Sequence, residues 1–291
     1  MIEAEKANFP IAMMCRCLEV TRSGYYASCE AEPTTRQKEN ERLKKEIKRV
    51  HKESRGTYGS PRIHAELKDE GIDVGRNRIA RLMAEEGVFA RRKPKFRKTT
   101  DSNHDHPIAP NILDRQFEVD APDRAWVADI TYIWTHEGWM YLAVIIDLFS
   151  RRVVGWSMAE HMRTELVLNA LQAALGSRVP DAEGLVFHSD RGSQYASGDY
   201  TKALAAAGIT CSMSRRANCW DNAVAESFFS TLKTELVHNL TFINRASAKT
   251  TIAEWIEVFY NRRRRHSTIS YLAPAEYERR HLERTKAKAA A

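Results

Sequence analysis

Three acidic residues lie in segments whose patterns predict that they converge on one sheet-and-helix core. Asp129 sits inside the strand-like run 126–134, Asp190 lies just beyond a short apolar run, and Glu226 lies in the helical pattern 221–233. Carboxylate oxygens are preferred ligands of hard divalent ions. Two such ions about 3.5–4 Å apart hold the attacking and leaving oxygens of a phosphodiester displacement. These residues are therefore predicted to bind two Mg²⁺ ions, or Mn²⁺ in their place, and to catalyse phosphoryl transfer.

The predicted helix around Glu226 places further polar groups beside it. Asn222 precedes Glu226 by four residues and Lys233 follows it by seven, so all three share one helical face. Glu226 is expected to face the two aspartates, while Asn222 and Lys233 are expected to contact DNA. Taken alone, Asp190 would be interpreted as a turn residue, and only the combination of acids indicates a site. His188 is expected to orient Asp190, to contact DNA, or to be a hydrogen-bonded residue at a strand end.

Basic charge is concentrated in the first third of the chain, outside the acidic segments. The 291 residues carry a formal net charge of +7. Between residues 36 and 98 there are 20 Lys/Arg against 10 Asp/Glu, a local excess of +10, which leaves −3 for the remainder. Enrichment on one side of a protein is typical of a DNA-binding arm, although a solvated helix surface would show the same charge.

Helical periodicity predicts a small all-α domain before the acidic segments. Residues 1–30 are expected to form a short helical lead that breaks at 23–26. Residues 31–98 contain a charged helix capped by Thr34 or Thr35, followed by two helices in a helix-turn-helix-like arrangement. A plain helical hairpin packed against the core is the alternative. The basic residues expected to contact DNA are Arg76, Arg78, Arg81, Arg91, Arg92 and Lys93.

The remaining chain predicts an α/β fold with the ribonuclease-H-like order of elements. Residues 99–122 are polar with three prolines and are expected to be a linker. From residue 123 to residue 280, three successive strands with short turns predict an antiparallel meander. Helices then alternate with two more strands, which predicts a mixed five-stranded sheet with flanking helices.

The C-terminal part of the chain is predicted to close the core with one helix over 246–263. This helix ends in a basic cluster, from which Arg262, Arg264 and His266 are expected to contact DNA. The alternative is a solvated helix terminus whose cations complement the helix dipole. An irregular segment is expected to follow, and residues 281–291 are predicted to be a disordered tail.

Four short sequence words, together with the 35 residues that separate Asp190 from Glu226, resemble a known family. The chain is similar to bacterial transposases of the insertion-sequence-three (IS-three) family, which share an Asp-Asp-Glu polynucleotidyl transferase core with retroviral integrases. The similarity extends over nearly the whole chain. The words are His-Ser-Asp-Arg-Gly-Ser-Gln-Tyr at 188–195, Trp-Asp-Asn-Ala at 220–223 with Glu-Ser-Phe-Phe at 226–229, Tyr-Asn-Arg-Arg-Arg-Arg-His at 260–266, and Pro-Ala-Glu-Tyr at 274–277.

The resemblance implies a DNA transposase that cuts 3′ ends at terminal inverted repeats and joins them to target DNA by transesterification. It implies Asp129, Asp190 and Glu226 as the catalytic residues, and self-association with DNA in a synaptic complex. It also implies that this chain is the product of a second reading frame. The product of the first frame is then a partner, to which frameshifting can fuse this chain. Asp147 is a further acid within a strand, does not match a catalytic position of the family, and is predicted to be structural.

Composition indicates the cellular compartment of the protein and the state of its cysteines. There is no run of 18 apolar residues, and the N-terminus lacks the layout of a signal peptide. These features predict a cytoplasmic protein with no membrane partner, and the resemblance implies that it is bacterial and associated with the nucleoid. The five cysteines are odd in number and lack paired spacing, which predicts reduced thiols and no structural zinc.

Three other functions fit part of the pattern. A retroviral-type integrase carries an amino-terminal His-His-Cys-Cys zinc module, and that spacing is missing from this sequence. A non-catalytic DNA-binding regulator of transposition would be indicated by the loss of a carboxylate, yet all three are present. A ribonuclease H usually holds more carboxylates and lacks basic arms.

Overall fold

The computed structural model describes residues 2–30, 32–91, 107–178, 184–215 and 219–290. The first described segment contains three helices, α1 (Ile2–Glu5), α2 (Ile11–Cys17) and α3 (Arg22–Glu30). The expected break at residues 23–26 is wrong, because α3 runs through them. The backbone N–H of Gly24 donates to the Thr21 hydroxyl (3.1 Å), and such capping offsets the low helix propensity of glycine.

A compact three-helix unit follows, as the apolar periodicity predicts. Its helices are α4 (Thr35–Glu53), α5 (Ser60–Asp69) and α6 (Arg76–Glu85). Thr34 caps α4 in a reciprocal pair of hydrogen bonds with Gln37. Side chains from all three helices form a separate hydrophobic core, so this unit is stabilised by its own packing. The core residues are Leu43, Ile47, Val50, Tyr58, Ile63, Leu67, Val74, Ile79, Leu82 and Met83.

A mixed five-stranded sheet forms the centre of the larger unit and confirms the ribonuclease-H-like fold. The strands are β1 (Ala125–Thr135), β2 (Gly138–Asp147), β3 (Val153–Ala159), β4 (Val186–Ser189) and β5 (Thr210–Met213). Their spatial order is β3-β2-β1-β4-β5. The first three strands pair antiparallel, whereas β4 pairs parallel with both β1 and β5. The carboxyl end of β4 therefore lies beside the middle of β1.

Helices cover both faces of this sheet. One face packs against α7 (Thr164–Ser177) and α8 (Gly198–Ala206). The other packs against α9 (Ala223–Glu235) and against α10 (Arg245–Glu254), which continues as one π-helical stretch to Tyr260. The side chains of β1 alternate between the two faces, which fixes its register in the sheet.

The second half of the predicted linker packs against this core. Residues 107–124 contain no helix or strand, yet Leu113 is buried and its backbone N–H donates to the Ser212 hydroxyl (3.2 Å). Residues 92–106 lie outside the described part of the chain. The described part of this segment therefore lies along the catalytic unit rather than apart from it.

The C-terminal part of the chain differs from the prediction. The helix expected over 246–263 is α-helical only to Glu254, and the disordered tail expected after residue 280 is replaced by α11 (Pro274–Ala289). The buried carboxylate of Glu278 holds α11 on the core by accepting hydrogen bonds from Ser150 (2.6 Å) and Arg178 (2.6 Å). Burial of these partners fixes α11 against the sheet.

Candidate active site

The parallel pairing of β1 and β4 brings two aspartates side by side. Ala128 of β1 is in register with Ser189 of β4, and the next residues along these strands are Asp129 and Asp190. Neighbouring strands lie about 4.8 Å apart. Both residues keep part of their surface exposed. The two carboxylates therefore stand next to each other at the point where β4 ends and β1 continues.

Glu226 lies in the first turn of α9, and its charge interacts with those of Asp129 and Asp190. The side-chain amide of Asn222, which immediately precedes α9, donates to the backbone carbonyl of Ala128 (3.0 Å). This bond ties the start of α9 to the residue before Asp129. Because Glu226 lies one helical turn beyond Asn222, it is on the face of α9 directed at Asp129.

The charges of the three carboxylates affect one another. Desolvation raises the pKa of Asp129 well above its usual range, and the negative charges of Asp190 and Glu226 raise it further. Desolvation, together with the charge of Asp190, also raises the pKa of Glu226. Such repulsion is the electrostatic setting in which a divalent cation is bound, since the cation neutralises the carboxylates.

This donor set fits hard divalent ions. Within the described residues, no three His, Cys, Asp or Glu side chains stand close enough to make a ready-formed metal site. The carboxylates nevertheless supply only oxygen ligands, keep part of their surface exposed and repel one another. Those properties match Mg²⁺ or Mn²⁺ and not a thiolate-preferring ion.

Lys233 is a cation whose charge acts on this acidic group. It lies two turns beyond Glu226 on α9, and its ammonium Nζ stands 4.8 Å from the centre of the Tyr132 ring. Burial lowers the pKa of Lys233, whereas the negative charge of Asp129 opposes that change. The predicted common face of Glu226 and Lys233 is thus the face that the structure turns toward Asp129.

The predicted DNA contact of Asn222 is wrong. It was expected to contact DNA, but it is only 4% exposed and its amide is bonded inside the core. Among the described residues, its buried side-chain Oδ1 has no hydrogen-bond partner. Asn222 is therefore a positioning residue that fixes the start of the Glu226 helix.

His188 is a fully buried, hydrogen-bonded residue at the end of β4. Ser212 Oγ accepts backbone N–H groups from Ile112 (2.9 Å) and Leu113 (3.2 Å), so its own proton is directed at His188 Nδ1 (2.9 Å). The other ring nitrogen faces Ser214 Oγ (3.1 Å). Burial lowers the pKa of His188 to about 4. The neutral ring holds β4 and β5 together immediately before Asp190, and it makes no surface for DNA.

Asp221 is a site residue that the sequence analysis overlooked. It is fully buried and binds Arg215 through both carboxylate oxygens (3.0 Å each) and Arg115 (2.9 Å). Hydrogen bonds from Arg215 hold the pKa of Asp221 well below its usual range. This carboxylate fastens the segment 107–124 and the strand end after β5 to the turn that leads into α9. Its place beside Asn222 in the sequence was the available signal.

Part of the basic cluster predicted to contact DNA is an internal ion-pair network. Arg264 is 4% exposed and donates two hydrogen bonds (2.8 and 2.7 Å) to Glu235, the last residue of α9. Arg62 of the three-helix unit lies 3.7 Å from the same carboxylate. The predicted DNA contact of Arg264 is therefore wrong, because its guanidinium faces a buried carboxylate.

The neighbouring residue, Arg265, joins the two units directly. Its guanidinium binds Glu66 and Asp69 of α5, and its backbone N–H donates to the hydroxyl of Tyr58 (2.7 Å). Tyr58 in turn donates to the backbone carbonyl of Arg263 (3.2 Å). The three-helix unit is thus docked on the catalytic unit at the far end of α9 from the carboxylates.

The other residues predicted to contact DNA have mixed environments. Arg76 and Arg262 are exposed; Arg81 is exposed and lies 3.6 Å from Glu85. Three others have a partner within the protein: Arg78 bonds Glu39 and Asn40, Arg91 donates to the Glu235 carbonyl, and His266 bonds Thr268. Arg92 and Lys93 lie outside the described residues.

Comparison with known proteins agrees with this geometry. Residues 119–219 and 207–274 match two integrase core domain families, and residues 38–96 match an HTH-like domain family. The chain is 39% identical over 283 residues to transposase InsF of insertion sequence IS3A from Escherichia coli K12, covering 97% of this chain and 98% of that protein. The chain belongs to the insertion-sequence-three family of transposases.

Another relative of this transposase family is the uncharacterized 31 kDa protein of insertion element IS600 from Shigella sonnei. It is 48% identical over 268 residues, covering 92% of this chain and 98% of that protein. Among solved structures, a chain of the simian T-cell lymphotropic virus intasome in complex with PP2A regulatory subunit B56 gamma is 18% identical, with a TM-score of 0.46, covering 74% of this chain and 70% of that chain. No helix within the described ranges is long and apolar enough to cross a membrane.

Proposed function

We propose that this transposase cleaves the 3′ ends of its element at the terminal inverted repeats and joins them to target DNA by transesterification. The observation that supports the proposal is the register of β1 with β4, which sets Asp129 beside Asp190, together with the charge repulsion of both by Glu226. The chemistry needs no covalent protein nucleophile. The same three carboxylates serve both steps, because each step is one phosphodiester displacement.

The three carboxylates would hold two divalent ions, Mg²⁺ by preference and Mn²⁺ as a substitute. Ions bound there supply activation of the attacking oxygen and charge stabilisation of the leaving 3′-oxygen. Asn222 keeps Glu226 beside Asp129 through its bond to β1. Lys233 adds a positive charge next to the acidic group and orients the reacting phosphate.

DNA is held mainly outside the carboxylate site. The exposed arginines Arg76 and Arg81 lie on α6 of the HTH-like unit, and Arg262 lies at the end of the catalytic unit. We assign these residues to phosphate contacts at the terminal repeats and the target. Paired element ends require self-association in a synaptic complex. The first-frame product, or fusion to it, completes recognition of the ends, and the reaction takes place on the bacterial nucleoid in the cytoplasm.

The catalytic assignment is tested with purified protein, Mg²⁺ and labelled ends of its own element. Asp129→Asn, Asp190→Asn and Glu226→Gln should abolish 3′ nicking and joining while the affinity for DNA stays within about twofold. Asp199→Asn, an exposed carboxylate in the first turn of α8, is the matched control and should remain active. Nicking at the wild-type rate by Glu226→Gln would refute the assignment. Binding without any nicking by the wild-type protein would favour a non-catalytic regulator.

The DNA-binding assignment is tested through the salt dependence of binding. Each phosphate contact contributes about 0.9 to the slope of log affinity against log salt. Arg76→Gln and Arg81→Gln should each lower this slope by about that amount, and removal of residues 1–98 should lower it more. Equal slopes for the full-length and truncated proteins would show that these helices are only a solvated surface.

A further inference from the structure

Three exposed aromatic rings lie together on the hairpin formed by β1 and β2. Tyr132 is 41% exposed, Trp134 is 56% exposed and Trp139 is 45% exposed. Trp134 and Trp139 pair directly across the strands. The Trp139 ring lies edge-to-face against both others, with centroid distances of 5.1 Å to Tyr132 and 4.9 Å to Trp134. A contiguous exposed aromatic surface marks an interaction site; we call these three residues the aromatic face.

The aromatic face belongs to a rigid hairpin. Thr135 Oγ1 donates to the Gly138 carbonyl across the turn (2.8 Å), and the His136 backbone N–H donates to the Phe242 carbonyl (3.0 Å). Arg245 Nε donates to the backbone carbonyl of Trp139 (3.2 Å). These bonds hold the rings in place before any partner arrives, so a partner would lose little binding energy to the ordering of the hairpin.

The aromatic face and the Asp129 side chain lie on opposite faces of β1, because odd spacings along a strand reverse the side chain. Lys233 connects them at the edge of β1 beyond residue 128, where the pairing with β4 ends. The ammonium Nζ of Lys233 lies 4.8 Å from the centre of the Tyr132 ring and also interacts with the negative charge of Asp129. At the rise of a β-strand, Tyr132 lies about 10 Å and Trp134 about 17 Å along β1 from Asp129. A stacked nucleic-acid strand advances about 3.4 Å per nucleotide. A DNA strand whose phosphate lies at Asp129 and that passes Lys233 at this edge therefore needs at least about three to five nucleotides to bring bases over these rings.

We propose that the aromatic face binds unpaired nucleotides of the DNA end, next to the reacting phosphate, by base stacking. This inference rests on the proposed function. The combination of exposed rings with a cation over one of them suits nucleotides, because every base has a π-face and each nucleotide carries a phosphate. Of the nearby carboxylates, Glu160 pairs with the Arg245 guanidinium (3.2 Å), which offsets its repulsion of phosphate, and Glu137 accepts the backbone N–H of Arg245 (2.9 Å).

The test measures binding of the full-length protein without divalent ions, so that no chemistry occurs. The probes are a fluorescent blunt duplex and the same duplex with four unpaired nucleotides at its end. Trp134→Ala and Trp139→Ala should each weaken binding of the tailed duplex about 5- to 150-fold, the loss typical of removing one stacked ring. Binding of the blunt duplex should change less than about twofold. Trp134→Phe should retain most of the affinity, and Tyr26→Ala, which removes an equally exposed ring (46%) in α3, should change neither probe.

A second readout places 2-aminopurine in the unpaired tail. Its fluorescence should be quenched by the wild-type protein and recover with Trp134→Ala, whereas Trp134→Phe should still quench. Equal losses on tailed and blunt duplexes would overturn the proposal. Unchanged tail binding by alanine variants that elute as a smaller oligomer would overturn it too, and would assign the aromatic face to contact between copies of the chain. Neither readout needs cleavage, so failure of the proposed catalysis would leave both results intact.

Discussion

The buried pair of Arg264 and Glu235 should stabilise the folded chain only as a pair. Their side chains are 4% and 7% exposed, and two hydrogen bonds of 2.8 and 2.7 Å join them. Removing one partner of such a pair costs about 3–5 kcal/mol, because the remaining charge stays buried and unpaired. Arg62 lies 3.7 Å from Glu235. Arg264→Met therefore leaves Glu235 one cation and should cost about 3 kcal/mol, whereas Glu235→Leu leaves two arginines and should cost about 5 kcal/mol.

The double variant should be more stable than the sum of the single losses predicts. Replacing a whole buried pair by apolar side chains is often close to neutral, so we expect a favourable coupling of about 2–3 kcal/mol in the double-mutant cycle. Thermal unfolding reports this as a drop of about 6–20 °C for the single variants and a partial recovery for the double variant. Arg262→Met, an exposed neighbour, is the control and should change stability by less than about 0.5 kcal/mol. Strictly additive losses, or an Arg264→Met protein of unchanged Tm and reduced DNA affinity, would refute the internal role of Arg264.

Three further predictions each concern the substitution of one residue. Burial raises the pKa of Asp147 to about 6, above about 3.9 for an unfolded aspartate, so its contribution is full at low pH and is lost as the pH rises through 6. Urea unfolding should show wild type gaining about 1 kcal/mol over Asp147→Asn between pH 7 and pH 5; a difference that is independent of pH would contradict this. Tyr58→Phe removes the acceptor of the Arg265 N–H and should cost about 1–3 kcal/mol in the same assay, whereas a loss below about 0.5 kcal/mol would show that the bond is dispensable. Asn222→Ala should slow nicking at saturating DNA with unchanged Kd, since it unties α9 from β1; weaker binding with an unchanged rate would restore Asn222 as a DNA contact.

The first strands of the sheet could be predicted because each has a recognisable local sequence pattern. Alternation of apolar residues and short turns predicted three successive strands, and the strand-like run 126–134 agrees with β1 to within one residue at each end. The helix α11 could not be placed in the same way. Pro274 at its start and the pairing of Arg279 with Glu276 and Glu283 are local helix signals. The position of α11 on the core is fixed by the hydrogen bonds of Glu278 with Ser150 and Arg178. Because these contacts join residues 128 and 100 positions apart, they leave no periodic pattern in the sequence.

In the candidate site, too, local features could be predicted from the sequence and long-range contacts could not. Of the proposed catalytic residues, Asp129 and Glu226 were predicted within a strand and a helix, whereas Asp190 was predicted just beyond a strand and depended on the other two. The parallel pairing of β1 with β4, which a local pattern does not contain, had to come from the structure. The arginines were harder, because a count of charges does not show which of them are paired. Arg264 pairs with Glu235, which is 29 residues away in the sequence, and Arg265 pairs with Glu66, which is 199 residues away.

The helix α9 is held at its two ends by different parts of the molecule. Asn222 bonds its start to β1 next to Asp129, whereas Glu235 at its end accepts Arg264 and Arg91 through its carboxylate and its carbonyl. Glu226 lies nine residues from Glu235, about 14 Å along the helix. The contacts that dock the HTH-like unit and the bond that positions the start of α9 therefore lie at opposite ends of the same helix.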